Sequence, residues 1–93
     1  MRLTSGDVRA IREEIAQFDP TAEVILFGSR ADDHARGGDI DLWVQSTRIG
    51  YEDGLRLKVR LEERLGDRHV DLIVNRGENH PLAAVVAETG IPL

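Results

Sequence analysis

The sequence predicts a single α/β domain spanning residues 1–93, in which helices and strands alternate in the order α-β-turn-β-α-β-α. Three observations carry this prediction. A chain of 93 residues is long enough for one hydrophobic core but too short for a second domain. Glycines and prolines divide it at short intervals. Between them, hydrophobic residues recur with either the period of a helix or the period of a strand.

Composition and charge exclude several classes of protein. The absence of cysteine excludes a disulfide framework, a thiolate zinc site and a cysteine nucleophile, and it favours a cytoplasmic location. No segment has the form of a signal peptide or approaches the ~18 apolar residues of a membrane span, so we expect no membrane contact. With 12 Lys and Arg against 17 Asp and Glu, a formal net charge of -5 argues against a direct grip on nucleic acid.

The first two predicted elements are an amphipathic helix and a buried strand. Thr4 or Ser5 can cap the helix, and Pro20 stops it. The strand is predicted from a nearly continuous apolar run over residues 22–27, which is too short for a helix and ends at Gly28. The hydrophobic residues of the helix recur at helical spacing: Val8, Ile11, Ile15 and Phe18.

Two further strands are predicted from the alternation of polar and apolar residues over residues 39–45 and 69–74. The first is expected to be half-buried, with Asp39 and Asp41 on its open face. The second carries Asp71 on the corresponding face. Because the three carboxylates share strand parity, they can lie on one face of a common sheet.

Two more helices complete the predicted order. One covers residues 52–65 with Gly66 at its C-terminal cap, and the other starts at Pro81 and ends at Gly90. One side of the first of these helices must cover the sheet, whereas the other either packs within the domain or binds another chain. Its two apolar sets lie on opposite sides: Leu55 with Val59, and Leu57 with Leu61 and Leu65.

The three carboxylates form a candidate metal site. Asp39 and Asp41 lie two residues apart on one strand face and repel each other unless a cation neutralises them. Carboxylate oxygens suit Mg²⁺ or Mn²⁺, and two such ions ~3.5–4 Å apart support phosphoryl or nucleotidyl transfer. Asp71 would complete the set, and a solvated acidic face is the alternative. No histidine is assigned to this site, because the three show no metal-ligand spacing: His34, His69 and His80.

A candidate phosphate site follows the first strand. Gly28 lets a phosphate approach the backbone, and the hydroxyl of Ser29 can bind its oxygens. Arg30 and Arg36 flank this turn and can stabilise negative charge. An ordinary turn with surface ion pairs is the alternative. Trp43, on the face of the carboxylates, either covers the sheet or contacts a nucleotide or an acceptor protein.

Segments 28–30 and 38–42, which read Gly-Ser-Arg and Gly-Asp-Ile-Asp-Leu, resemble the motif of the minimal nucleotidyltransferases, small members of the DNA polymerase beta-like superfamily. The resemblance covers nearly the whole chain. It implies a small mixed sheet flanked by helices, with Gly28 and Ser29 holding the triphosphate of ATP. It also implies that the two aspartates of the second segment bind Mg²⁺ and that Asp71 is the third carboxylate.

The resemblance also implies a function. Small proteins of this family are often encoded beside a HEPN-domain ribonuclease and act as its antitoxin, some by transferring AMP from ATP to a tyrosine of the toxin. We therefore expect a Mg²⁺-dependent adenylyltransferase that acts on a HEPN toxin. One alternative is an antitoxin that neutralises its toxin by binding alone. Another is an adenylyltransferase for a small-molecule hydroxyl, which the short chain disfavours because such enzymes normally need a second domain.

Overall fold

The computed structural model of the protein describes residues 3–28 and 39–93. Within these ranges three helices pack on one four-stranded sheet, in the strand order β3-β2-β1-β4. No helix in this part of the chain is both long and apolar enough to cross a membrane. The elements are α1 (Ser5–Phe18), β1 (Glu23–Phe27), β2 (Ile40–Gln45), α2 (Tyr51–Arg64), β3 (Val70–Asn75), α3 (Ala83–Thr89) and β4 (Ile91–Pro92).

The sheet is mixed, as predicted. Strand β2 runs parallel to β3 and antiparallel to β1, and β4 pairs antiparallel with the other edge of β1. The predicted fold class and the predicted order of elements are confirmed, with boundaries that shift by one or two residues. The sequence analysis missed β4 because its two residues are too few to show any periodicity.

A capping box fixes the start of α1. The hydroxyl of Thr4 accepts a hydrogen bond from the backbone N–H of Asp7 at 3.0 Å, and the Asp7 carboxylate accepts one from the Thr4 N–H at 3.1 Å. These bonds satisfy two groups that have no partner within the helix. Asp7 also forms an ion pair with Arg68 at 2.9 Å, which ties the start of α1 to the turn before β3.

The main hydrophobic core lies between one face of the sheet and helices α1 and α2. Of the two apolar sets in α2, the one ending at Leu65 faces this core, whereas Leu55 and Val59 remain 49% and 55% exposed. The second set is therefore half exposed on α2 and offers apolar surface to a partner. The largest fully buried side chains include Ile11, Ile15, Leu26, Ile40, Leu42, Leu57 and Leu61.

Helix α3 covers part of the opposite face of the sheet. There Trp43 forms a second, smaller core with Phe27 and Val86, and Ile25 and Ile73 pack against it. The open face predicted for β2 is found at Asp39 and Asp41, which are exposed and partly buried, respectively, but not at Trp43, because the C-terminal helix returns over that part of the sheet. Trp43 is only 5% exposed, which supports its predicted role in covering the sheet.

The ion pairs of Glu14 join α1 to α2. This buried carboxylate accepts hydrogen bonds from Arg60 at 2.8 Å and from Arg64 at 2.7 Å. The bond from Arg60, and then the bond from Arg64, lower the pKa of Glu14 below its usual value. The stabilisation is therefore present above the unfolded-state pKa and is lost as the pH falls through the folded-state pKa.

We expect Glu14→Gln to lower the free energy of unfolding at pH 7 by about 1–2 kcal/mol, because two charge-assisted hydrogen bonds are weakened. The difference from the wild type should shrink as urea unfolding is repeated at decreasing pH, since the unfolded chain protonates Glu14 first and the advantage of the ionised native form declines. Glu13→Gln is the matched control: Glu13 is half exposed and forms one ion pair, with Arg64, so its effect should stay below about 0.5 kcal/mol. A Glu14 effect that does not depend on pH would contradict this explanation.

Candidate active site

The register of the sheet brings the predicted carboxylates to one end of it. Asp41 in β2 is level with Asp71 in β3 and with Phe27 in β1. Asp39 comes just before β2, whose first residue donates a hydrogen bond to the carbonyl of His69 at 2.9 Å. Because side chains two residues apart share a sheet face, Asp39, Asp41 and Asp71 belong to the same face. The predicted shared parity is therefore realised in space.

A cluster of three ligand-bearing side chains lies at this end. Asp39, His69 and Asp71 each offer one ligand atom, and these atoms lie within 4.8 Å of one another. All three residues are exposed to solvent. Ligands of one octahedral Mg²⁺ or Mn²⁺ are separated by roughly 3–4 Å, because each lies about 2.1 Å from the ion. Small side-chain adjustments therefore let this cluster hold a divalent cation.

Gly28 brings the end of β1 directly against the remaining carboxylate. Its φ of +74° lies in the left-handed region that favours glycine. A Cβ built on Gly28 would overlap the Asp41 carboxylate oxygen and lie 3.2 Å from its Cγ. The backbone here is thus in close contact with Asp41, and only glycine permits this approach.

Three predicted phosphate-binding residues lie outside the described ranges 3–28 and 39–93: Ser29, Arg30 and Arg36. Their roles stay predictions. Trp43 shares a sheet face with Asp41 but is buried under α3, where its indole N–H donates to Gln45 at 3.2 Å and its ring meets the ring of His80 edge-on. A direct contact between Trp43 and a nucleotide is therefore not favoured.

His69 is the residue of this cluster that the sequence analysis did not assign to a site. Its Nε2 lies 2.9 Å from Asp71 Oδ1, and its Nδ1 lies 3.3 Å from Glu62 Oε2. The available signal was strand parity, because His69 precedes Asp71 by two residues. Spacing among the histidines themselves does not reveal it, since the other groups of this site are carboxylates.

Glu62, which contacts His69, is itself held by two hydrogen bonds. Its Oε2 atom accepts hydrogen bonds from Lys58 at 2.8 Å and from the backbone N–H of Val70 at 2.9 Å. The bond from Lys58, and then the bond from Val70, lower the pKa of Glu62. Glu62 thus stays ionised and presents a negative oxygen to the ring of His69.

Comparisons with known proteins identify the family and the fold of the chain. Residues 8–91 match the family model described as a nucleotidyltransferase domain. A solved structure assigned as a minimal nucleotidyltransferase is 33% identical, covers 99% of this chain and 98% of its own, and superimposes with a TM-score of 0.70. The chain therefore belongs to the nucleotidyltransferase domain family, and its fold is that of the minimal nucleotidyltransferases.

Two toxin–antitoxin structures are also similar. A mutant of the MntA–HpeT toxin–antitoxin is 25% identical with a TM-score of 0.74, over 92% of this chain and 69% of that one. A toxin–antitoxin with AMP-PNP is 24% identical with a TM-score of 0.76, over 97% of this chain and 72% of that one. A search of curated proteins finds no match.

Proposed function

We propose that this protein is a Mg²⁺-dependent adenylyltransferase that transfers AMP from ATP to a hydroxyl, that of a tyrosine, on a partner HEPN ribonuclease toxin. It thereby acts as the antitoxin, in the cytoplasm where ATP is supplied. Two observations support the proposal: the ligand atoms of Asp39 and Asp71 lie within 4.8 Å of each other, and Asp41 is level with Asp71 in the sheet and contacts Gly28. The likeness to toxin–antitoxin structures, one of them with an ATP analogue, supports the choice of substrates.

Three carboxylates would hold two metal ions. Asp39 and Asp41 would be ligands of these ions, and Asp71, on the neighbouring strand, would complete the set on the side of the acceptor hydroxyl. When bound, Mg²⁺ or Mn²⁺ lowers the pKa of that hydroxyl and neutralises charge on the leaving pyrophosphate. A carboxylate site rich in oxygen ligands fits these hard cations.

The phosphate site would align ATP for in-line attack. Gly28 and Ser29 hold the triphosphate, and Arg30 and Arg36 stabilise the charge that develops on it. The acceptor oxygen forms a bond to the α-phosphorus while the bond from that phosphorus to the bridging oxygen breaks. AMP stays on the acceptor, pyrophosphate leaves with the bridging oxygen, and the hydroxyl proton passes to water.

An apolar stripe on α2 supports a protein partner. Tyr51, Leu55 and Val59 lie four residues apart, so they share one helix face, and Tyr51 is 82% exposed. The stripe borders a groove of about 340 Å³ that is also lined by Leu72 and Val74 of β3. We assign this surface to the toxin, because the similar toxin–antitoxin structures place this fold in such assemblies.

The stripe also supports the second candidate function, an antitoxin that neutralises its toxin by binding alone. The two candidates differ in stoichiometry. A catalyst supplied with ATP and Mg²⁺ should inactivate many molar equivalents of toxin, and each toxin molecule should gain AMP. A binder should neutralise only about one equivalent, with or without ATP. Titration of toxin ribonuclease activity, with the intact mass of the toxin measured in parallel, separates them.

Gly28→Ala tests the close contact between β1 and the carboxylate site. The new methyl group would displace the Asp41 side chain, so we expect the rate of AMP transfer to fall at least about tenfold. Gly66→Ala is the matched control, because Gly66 has nearly the same φ, +75°, but no atom within 4 Å of a Cβ. Both variants should lose about 1 kcal/mol of stability from backbone strain. Equal transfer rates in the two variants would contradict this role for Gly28.

A further inference from the structure

We propose that His69 supplies a nitrogen ligand to the divalent cation held by Asp39 and Asp71, and that this ligand makes the site favour Mn²⁺ over Mg²⁺. The inference rests on the metal site of the proposed function, but it does not depend on which hydroxyl is modified. It concerns a position that the motif of paired aspartates does not include.

The position of the imidazole ring supports ligation. Nε2 of His69 is the nitrogen that faces the cluster, 2.9 Å from Asp71 Oδ1, which is a separation that two ligands of one ion adopt. Half of the His69 side-chain surface is accessible to solvent. A cation can therefore reach Nε2 and the carboxylates together.

The opposite ring nitrogen has the partner that metal-bound histidines characteristically have. Nδ1 lies 3.3 Å from Glu62 Oε2, and a carboxylate in this place retains the proton on Nδ1 and leaves the lone pair on Nε2. Glu62 is itself held by Lys58 and by the N–H of Val70. The histidine is thus oriented toward the site by a residue of α2.

The ligand type argues for the preference among cations. Imidazole nitrogen binds first-row transition ions better than Mg²⁺, which strongly prefers oxygen ligands. Mn²⁺ accepts both carboxylate oxygen and imidazole nitrogen, so the mixed set of Asp39, His69 and Asp71 suits it. A site with carboxylates alone would discriminate less between the two ions.

The competing explanation is a plain ion pair, in which a protonated His69 is the counter-ion of Asp71 and Glu62. The two explanations predict opposite effects on metal affinity. A ligand that is removed weakens binding of the cation. A positive counter-ion that is removed strengthens binding, because it no longer repels the cation or occupies the carboxylate.

The test measures binding of Mn²⁺ alone to the full chain, by electron paramagnetic resonance of free Mn²⁺ and pulsed measurement of nitrogen coupling in bound Mn²⁺. We expect coupling to an imidazole nitrogen in the wild type and in the control His80→Gln, whose ring contacts Trp43. His69→Gln should lose the coupling and bind Mn²⁺ about tenfold more weakly, while its affinity for Mg²⁺ changes by less than about twofold.

Glu62→Gln separates orientation from ligation. It keeps the imidazole but weakens the partner of Nδ1, so it should retain nitrogen coupling while binding Mn²⁺ more weakly than the wild type. Bound Mn²⁺ without nitrogen coupling, or tighter binding in His69→Gln, would overturn the inference. Nitrogen coupling in a protein that fails to transfer AMP would overturn the proposed function and leave this inference standing.

Discussion

Replacing Asp39 and Asp41 together by asparagine should lower the rate of AMP transfer by at least about 10³-fold, because the site loses two negative charges and its strongest metal ligands. The fold should persist. Asp39 is exposed just before β2, and β2 keeps its backbone pairing with β1 and β3. The free energy of unfolding should change by less than about 1 kcal/mol. Rates of transfer, paired with urea unfolding of the same samples, measure both effects.

Asp67→Asn is the matched control for this prediction. It makes the same chemical change at an exposed turn position whose φ of 62° asparagine also tolerates. Its transfer rate should equal that of the wild type. If the double variant remained folded and still transferred AMP at more than a tenth of the wild-type rate, the metal-ligand role of the two carboxylates would be refuted.

Trp43→Ala should lower the free energy of unfolding by about 3 kcal/mol. The indole fills the small core between the sheet and α3 with Phe27 and Val86, and removing it leaves a cavity and frees α3. This is a large part of the roughly 5–15 kcal/mol that stabilises a typical domain. Urea unfolding followed by circular dichroism measures the loss.

Trp43→Phe separates packing from contact with the nucleotide. It retains most of the buried ring, so it should recover more than half of the lost stability. At a temperature where each variant is folded, the KM for ATP should stay within about twofold of the wild type. If Trp43→Phe were as stable as the wild type but had a much higher KM for ATP, a contact between Trp43 and the nucleotide would be indicated instead.

The parts of the structure that the sequence predicts are those set by local patterns. Strand alternation predicts that Asp41 and Asp71 share a face, and the parallel register places them level with each other. Helical spacing separates the buried Leu57 from the exposed Leu55 in α2. Of the two cap candidates for α1, Thr4 and Ser5, the structure selects Thr4, whose hydroxyl accepts a hydrogen bond from the Asp7 N–H. Each of these patterns lies within a single helix or strand.

What the sequence did not reveal depends on contacts between distant segments. The position of α3 over the sheet, which brings Val86 to Trp43, is one such contact. The orientation of His69 requires Glu62, which belongs to α2, a helix that packs on the main core through its buried leucines. No periodicity within a single element encodes such contacts, because they depend on how the elements pack together.

The most direct test of nucleotidyl transfer compares ATP labelled at the α-phosphate with ATP labelled at the γ-phosphate. Each is incubated with Mg²⁺, the protein and a host lysate, using the wild type and the double variant Asp39→Asn/Asp41→Asn. We predict one protein band labelled from the α-phosphate only, which the double variant fails to label and whose mass identifies the toxin. Labelling from the γ-phosphate, or no labelled protein while a partner still co-purifies with the chain, would contradict adenylyl transfer.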